Sequence, residues 1–177
     1  MPDDRQLWEQ ICHGDARAFD AFYRENAPRL EAFLRQVVGN RQAAEDLMQE
    51  TFTQMWRRPN GFQPKRGSLR AYLFGIGRKR AAEWWRKQEG RKECADEPAA
   101  AARADAVFSV SEAFGKLSEE QRTLLWLREV EGQSYAELAE IFEIPVGTVR
   151  SRLFTAREDL RGIWNRKLER NRERTKI

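Results

Sequence analysis

Histidine is almost missing from this 177-residue chain, and cysteine is scarce: His13 stands alone, and the cysteines are Cys12 and Cys94. Cys12 and His13 are adjacent, and neighbours on a helix diverge by about 100°, so they form neither a thiol–imidazole dyad nor a metal pair. Two cysteines 82 positions apart make no CxxC knuckle and no disulfide framework. No run approaches the ~18 apolar residues of a membrane span. The opening Met1-Pro2-Asp3-Asp4-Arg5-Gln6 lacks the basic and apolar segments of a secretory signal. Mean hydropathy is −0.79 and 34% of residues are charged. These absences predict a cytoplasmic protein with reduced, inert thiols and no direct membrane insertion. Neither a G-x-x-x-x-G-K-[ST] loop nor a G-x-G-x-x-G turn after a strand occurs. The acids Glu45, Asp46 and Glu50 share a helix face without a histidine or lysine partner nearby. No catalytic residue, metal or cofactor is expected, and the chain is read as a non-enzyme.

What the chain does have is charge, unevenly placed. Net charge is only +4, yet residues 57–87 hold ten Lys/Arg against the single acid Glu83, a local +9. Residues 144–177 hold ten against four, a local +6, which leaves −11 for the remainder. Two basic blocks on an acidic background predict two anion-binding surfaces.

Helical periodicity runs nearly throughout, and strand-like alternation is absent. Asp15 to Val38 reads as helix, with Pro28 either kinking it or starting a second one. Gly39-Asn40 marks a stop and restart. Arg41 to Arg58 is amphipathic, with Ala44, Leu47, Met48, Thr51, Phe52, Met55 and Trp56 as its apolar stripe. Pro59-Asn60-Gly61 ends it, a loop follows to Gly67, and Ser68 caps a helix to about Lys87. Residues 89–110, with four alanines after Pro98 and a cluster of acids, read as a linker; as coil it spans about 26 Å. Ser118-Glu119-Glu120-Gln121 and Ser134-Tyr135-Ala136-Glu137 are capping boxes. The first opens a helix through Leu127. The second opens a short helix that Glu143-Ile144-Pro145-Val146-Gly147 breaks. Helix resumes at Thr148 with Val149, Leu153, Ala156, Leu160 and Trp164 facing inward, and the tail from Asn165 either extends it or is disordered. Short helix, tight turn and longer helix make a helix-turn-helix. The expected fold is all-α: a domain over 1–88, a linker over 89–110 and a helix-turn-helix domain over 111–177.

Three surfaces carry candidate chemistry. At the start of the last helix, Gly147 lets backbone approach a phosphate and Thr148 offers a hydroxyl and an N–H. Arg150, Ser151, Phe154, Thr155 and Arg157 lie off the core stripe, where arginine can read guanine and phenylalanine can touch a thymine methyl. The first basic block interleaves Lys65, Arg66, Arg70, Arg78 and Lys79 with aromatics such as Phe62 and Tyr72, a pattern that suits single-stranded nucleic acid; about half of those aromatics are expected in the core. The loop from Asn60 to Gly67 is the better candidate for base contact. The third surface, Glu45, Asp46, Gln49 and Glu50, would repel DNA and suits a basic protein partner.

Together these segments resemble a known family. Ala43-Ala44-Glu45-Asp46-Leu47-Met48-Gln49-Glu50-Thr51-Phe52 is similar to region 2.2 of bacterial sigma factors. Gly67-Ser68-Leu69-Arg70-Ala71-Tyr72-Leu73 with Ile76 resembles region 2.3, and Pro145-Val146-Gly147-Thr148-Val149-Arg150-Ser151-Arg152-Leu153 resembles the region 4.2 recognition helix. The two-domain plan resembles the extracytoplasmic-function (ECF) class. The resemblance implies a transcription-initiation factor that binds core RNA polymerase and promoter DNA and is held by an anti-sigma factor. It implies that Asp46, Gln49 and Glu50 meet the β′ clamp helices and that the second domain meets the β flap. It assigns Asn60, Phe62, Lys65, Arg66, Ser68, Arg70, Arg78 and Lys79 to the minus-ten element. Pro145, Gly147, Thr148, Arg150, Ser151, Arg152, Phe154, Thr155 and Arg157 would read the minus-thirty-five element. Lys79 stands where the family often has asparagine, and Thr155 where it often has a basic residue, which puts the promoter sequence outside what the family implies. Two further readings remain open on sequence alone: a stand-alone helix-turn-helix regulator, and an RNA-binding protein using residues 57–87.

Overall fold

The computed structural model describes residues 3–57, 61–92 and 110–174. They are helical with short turns, and no strand occurs among them. The α-helices are α1 Asp4–Cys12, α2 Ala16–Val38, α3 Arg41–Arg57, α4 Leu69–Lys92, α5 Val110–Gly115, α6 Glu119–Leu125, α7 Tyr135–Phe142 and α8 Val146–Arg174.

In the first domain α2, α3 and α4 form a packed bundle, and α1 lies against α2 and α4. Asp15 starts α2 by accepting from the N–H groups of Arg17 and Ala18, and Gly39 ends it at φ 69°. Pro28 lies inside α2 without ending it. Asn40 caps α3 by accepting from the Ala43 N–H at 2.9 Å. Leu30, Phe33, Leu34, Met55, Leu73 and Phe74 are fully buried, each stabilising the fold by roughly 1.5–3 kcal/mol before entropy is counted. The α2–α4 crossing is close: a Cβ on Gly77 would come within 2.8 Å of a Leu30 methyl. Trp56 departs from the expected stripe. It is 42% exposed and edge-packed on Phe19 at 4.6 Å, because at about 100° per residue it lies on the flank of the stripe, one residue past fully buried Met55. Helix α1 was not separated out by the sequence, although Leu7, Trp8 and Ile11 have its spacing.

Both capping boxes of the second domain form: Ser118 with Gln121, and Ser134 with Glu137. After Leu125 the backbone widens into one π-helical turn, Trp126–Val130. Leu124, Leu127, Leu138, Val149, Leu153 and Ala156 fill the core, whereas Leu160 is only half-buried. Between α7 and α8, Glu143 holds φ 56°. Helix α8 continues through Arg174, so the tail is helix to that point. Helix α4 likewise runs on to Lys92, past the boundary expected at residue 88. The alanine-rich stretch over 93–109, with Cys94, lies outside the described residues, as do Arg58, Pro59, Asn60 and 175–177. The two domains touch: α7 packs on α4, and α2 packs on α6.

Candidate nucleic-acid interface

The α3 face is built by helical phase. Ala44, Leu47, Met48 and Thr51 turn inward, which leaves Asp46, Gln49 and Glu50 exposed on one side. Asp46 accepts from Gln42 at 3.1 Å. Glu50 accepts from Arg80 at 3.0 Å, and Gln54 holds the same guanidinium at 3.0 Å. Exposed Trp56 lies farther along this face, an apolar neighbour that the sequence assigned to the core.

The residues assigned to the first basic block divide into anchors and exposed groups. Phe62 is an anchor, only 7% exposed. Its ring meets Trp8 at 5.8 Å and Tyr72 at 5.9 Å. It holds the loop to the domain instead of offering a stacking surface, because α1 covers it. Gly67 sits at φ 139°, ψ −173°, a region essentially closed to residues with a Cβ. It turns the chain so that Ser68 can cap α4, where the Ser68 hydroxyl accepts from the Ala71 N–H at 3.1 Å. The Leu69 N–H, which has no partner within its own helix, donates to the Asp4 carboxylate of α1 at 2.7 Å. Sequence reasoning missed Asp4 because the bond joins residues 65 apart. Lys65 is exposed and Arg70 half-buried. Asn60 lies outside the described residues.

The second domain covers much of this surface. Ser68 donates from its hydroxyl to Glu137 at 2.6 Å. Arg66 pairs with Glu140 and Lys79 with Glu143, both at 2.6 Å. Arg78 inserts between the domains, donates to the Ile141 carbonyl at 3.0 Å and lies 4.8 Å from the Phe142 ring centroid. Burial pulls the Arg78 pKa below its usual value, against the pull of Glu119, Glu143 and Glu120. Burial acts to raise the Glu137 pKa, but hydrogen bonds from Ser68 and Ser134 outweigh it and hold the group below the usual carboxylate range. Phe62, Ser68, Tyr72, Lys79, Glu137 and Ile141 are among the residues lining a cleft of about 580 Å³. Sequence reasoning missed the row Glu137, Glu140 and Glu143; its three-residue spacing is the local signal, and its target lies more than 60 residues away.

The recognition helix behaves differently. With Val149, Leu153 and Ala156 buried, Pro145, Gly147, Arg150, Ser151, Arg152, Phe154 and Thr155 face solvent, and Thr148 is half-buried. Phe154 is 66% exposed. Arg152 is tied to Glu120. Arg157 is tied to Glu129 at 2.6 Å, a hydrogen bond that raises its pKa. Arg150 lies 5.9 Å from the Tyr135 ring and is not tied to a carboxylate among the described residues. The Ser151 and Thr155 hydroxyls donate to carbonyls of their own helix, at 3.0 and 3.2 Å. Cys12, at the end of α1, has its thiol pKa raised by burial and by Glu9, away from reactive thiolate. No cluster of metal-ligating residues occurs among the described residues, and none of their helices is long and apolar enough to cross a membrane.

Residues 22–91 match the family described as Sigma-70 region 2, and residues 108–160 match Sigma-70, region 4. The RNA polymerase sigma-H factor of Pseudomonas aeruginosa is 30% identical over 174 residues, covering 88% of this chain and 90% of that protein. The ECF RNA polymerase sigma-E factor of Haemophilus influenzae is 29% identical, covering 88% of this chain and 92% of that protein. Among solved structures, the sigma factor RpoE in complex with the anti-sigma factor NepR from Bartonella quintana superposes with a TM-score of 0.71 at 27% identity, over 85% of this chain and 98% of that one. CnrH in complex with the cytosolic domain of CnrY gives a TM-score of 0.70 at 25% identity, over 92% of this chain and 97% of that one.

Proposed function

This chain belongs to the ECF class of RNA polymerase sigma factors, and we propose that its three surfaces divide the work of promoter initiation. Asp46, Gln49 and Glu50 on α3 dock on the β′ clamp helices, with Trp56 as an apolar neighbour to that contact. The second domain sits on the β flap and sets the start of α8 into the major groove of the minus-thirty-five element. Arg150 and Phe154 are its base readers. Arg152 and Arg157, already held by glutamates, contribute mainly positive potential. Lys65, Arg66, Ser68, Arg70, Arg78 and Lys79 receive the minus-ten strand, Phe62 keeps their loop in place, and Asn60 joins them from the same loop. The protein works in the cytoplasm and contributes no catalytic group of its own. Because RpoE and CnrH were solved with NepR and CnrY, an anti-sigma factor is the expected inhibitor here as well.

The observation that carries this reading is the start of α8. Its inward residues are sealed in the core while Arg150 and the largely exposed Phe154 ring face water. An exposed ring beside a guanidinium with no carboxylate partner among the described residues suits contact with base edges. Family membership removes the reason to prefer a stand-alone regulator or an RNA-binding protein. The test mixes the purified chain with bacterial core RNA polymerase and follows complex formation by fluorescence anisotropy, with transcription from a promoter-fragment library as second readout. Saturable binding with promoter-dependent transcripts is expected. A folded, inhibitor-free chain that never binds core polymerase refutes the reading.

A further inference from the structure

Helix α1 lies ahead of residues 22–91, the segment that matches region 2. Its inward face is Asp4, Leu7, Trp8 and Ile11, while Arg5, Gln6, Glu9 and Gln10 face solvent. Asp4 and Trp8 are four residues apart, so they sit one above the other, about 6 Å along the helix. Each grips one end of the same loop. At the start of the loop the Trp8 indole packs edge-on against Phe62 at 5.8 Å and against Tyr72 of α4 at 6.0 Å. Phe62 meets Tyr72 in turn, so the rings of helix, loop and helix close one cluster. Just past the end of the loop, Asp4 accepts from the Leu69 N–H at 2.7 Å. Between the two grips Gln63, Pro64, Lys65 and Arg66 stand in solvent. A backbone bond from the Arg66 N–H to the Gln63 carbonyl, at 2.9 Å, folds them into a turn. Gly67 follows at φ 139°, a conformation that persists only where the surrounding structure over-determines it.

We propose that α1 is part of the strand-receiving machinery: Asp4 and Trp8 are positioning residues that fix both ends of the minus-ten loop before the single strand arrives. Neither touches the strand. Trp8 is only 6% exposed, and the Asp4 carboxylate, which would repel a phosphate, is turned to the Leu69 amide. Both act through the loop. A free loop loses conformational entropy when a ligand orders it, and that loss weakens binding. Here the ordering happens during folding, driven by ring packing and a backbone hydrogen bond at buried Leu69. Lys65 and Arg66 are thereby presented in fixed register with Arg70 on the first turn of α4. Because both grips belong to one helix, loosening either frees the loop. The docking face of α3 and the reader at the start of α8 lie on other elements, so the effect is confined to the strand.

The assignment of the minus-ten strand to this loop underlies the proposal, and Lys65→Ala tests that assignment in the same experiment. Full-length wild type, Asp4→Ala, Asp4→Asn, Trp8→Leu, Trp8→Phe, Lys65→Ala and Val37→Ala are each assembled with core polymerase. Val37 is buried at the far end of α2, where its carbonyl accepts from Trp85, so its truncation lowers stability without touching the loop. Anisotropy titrations measure affinity for core polymerase, for a duplex carrying only the minus-thirty-five element, and for a fork-junction DNA with a single-stranded minus-ten element. Both DNAs are cut from a library-selected promoter. Asp4→Ala and Trp8→Leu should weaken fork binding about three- to tenfold and leave the other affinities within about twofold of wild type. Asp4→Asn and Trp8→Phe keep the oxygen and the ring, and should recover most of the loss. Val37→Ala should bind the fork like wild type. Wild-type fork affinity in Asp4→Ala and Trp8→Leu, with Lys65→Ala weakened, overturns the proposal. So does a loss shared equally with the duplex, or reproduced by Val37→Ala. If Lys65→Ala is also without effect, the loop does not receive the strand, and the assignment falls together with the proposal.

Discussion

Replacing Asp4 by alanine removes the acceptor for the first amide of α4. In the folded chain the Asp4 carboxylate takes the Leu69 N–H at 2.7 Å, and Leu69 is fully buried, so water does not replace the lost partner. A helix-capping side chain contributes about 0.5–2 kcal/mol, and a buried amide left unsatisfied costs about 1–3 kcal/mol. These describe one interaction seen from two sides, so the expected loss is about 1–2 kcal/mol and not their sum. At 1.4 kcal/mol per tenfold, amide hydrogen exchange at Leu69, Arg70, Ala71 and Tyr72 should quicken about 5- to 30-fold. Amides two turns farther along α4, around Lys79, serve as the internal reference and should stay near wild type. Asp4→Asn keeps an oxygen in place and should lose less than half as much. Exchange at Leu69 within twofold of wild type in the alanine variant refutes the capping argument. Equal damage from asparagine and alanine shifts the effect from the hydrogen bond to the charge.

Arg150→Ala should weaken binding to a cognate minus-thirty-five duplex by about 1–3 kcal/mol and barely change binding to random duplex in an anisotropy titration; equal losses on both would reduce Arg150 to a phosphate contact. Asp46→Ala with Glu50→Ala should weaken association with core polymerase while circular dichroism stays unchanged, and full affinity would remove α3 as the docking surface. Gly67→Ala should cost about 1–3 kcal/mol in urea denaturation, because φ 139° excludes a side chain and the new Cβ would stand 3.2 Å from the Glu137 Cγ. A midpoint equal to wild type would show that the loop relaxes.

What the sequence made legible was local. Ser68, Ser118 and Ser134 act on amides three residues away, so their caps were readable from spacing and formed as read. The α3 stripe and the α8 core positions followed from periodicity. The misplacements are residues whose environment comes from elsewhere in the chain. Phe62 turned inward because α1 supplies Trp8 as its cover, and a basic-aromatic pattern does not encode that cover. Trp56 turned outward because it sits on the flank of the α3 stripe, where only Phe19 reaches it, while neighbouring Met55 is fully buried. Arg78 and Lys79 looked like a bare cationic face, since neither partner domain nor distant glutamate appears in a window of neighbouring residues. The π-helical turn after Leu125 left no mark that separates it from ordinary helix. Asp4, 65 positions from its partner, was invisible for the same reason.

Glu137 has two duties, and this has a genetic consequence. One oxygen accepts from the Ser134 N–H at 2.8 Å and completes the capping box that starts α7; the other accepts from Ser68. Substitution at this codon removes the α7 cap together with the contact to Ser68 of the first domain, so its alleles should score as simple loss of function. Glu140 and Glu143 meet the first domain through their side chains without capping α7 at its amino end. Mutational scanning of transcription output should therefore tolerate exchange at codons 140 and 143 better than at codon 137.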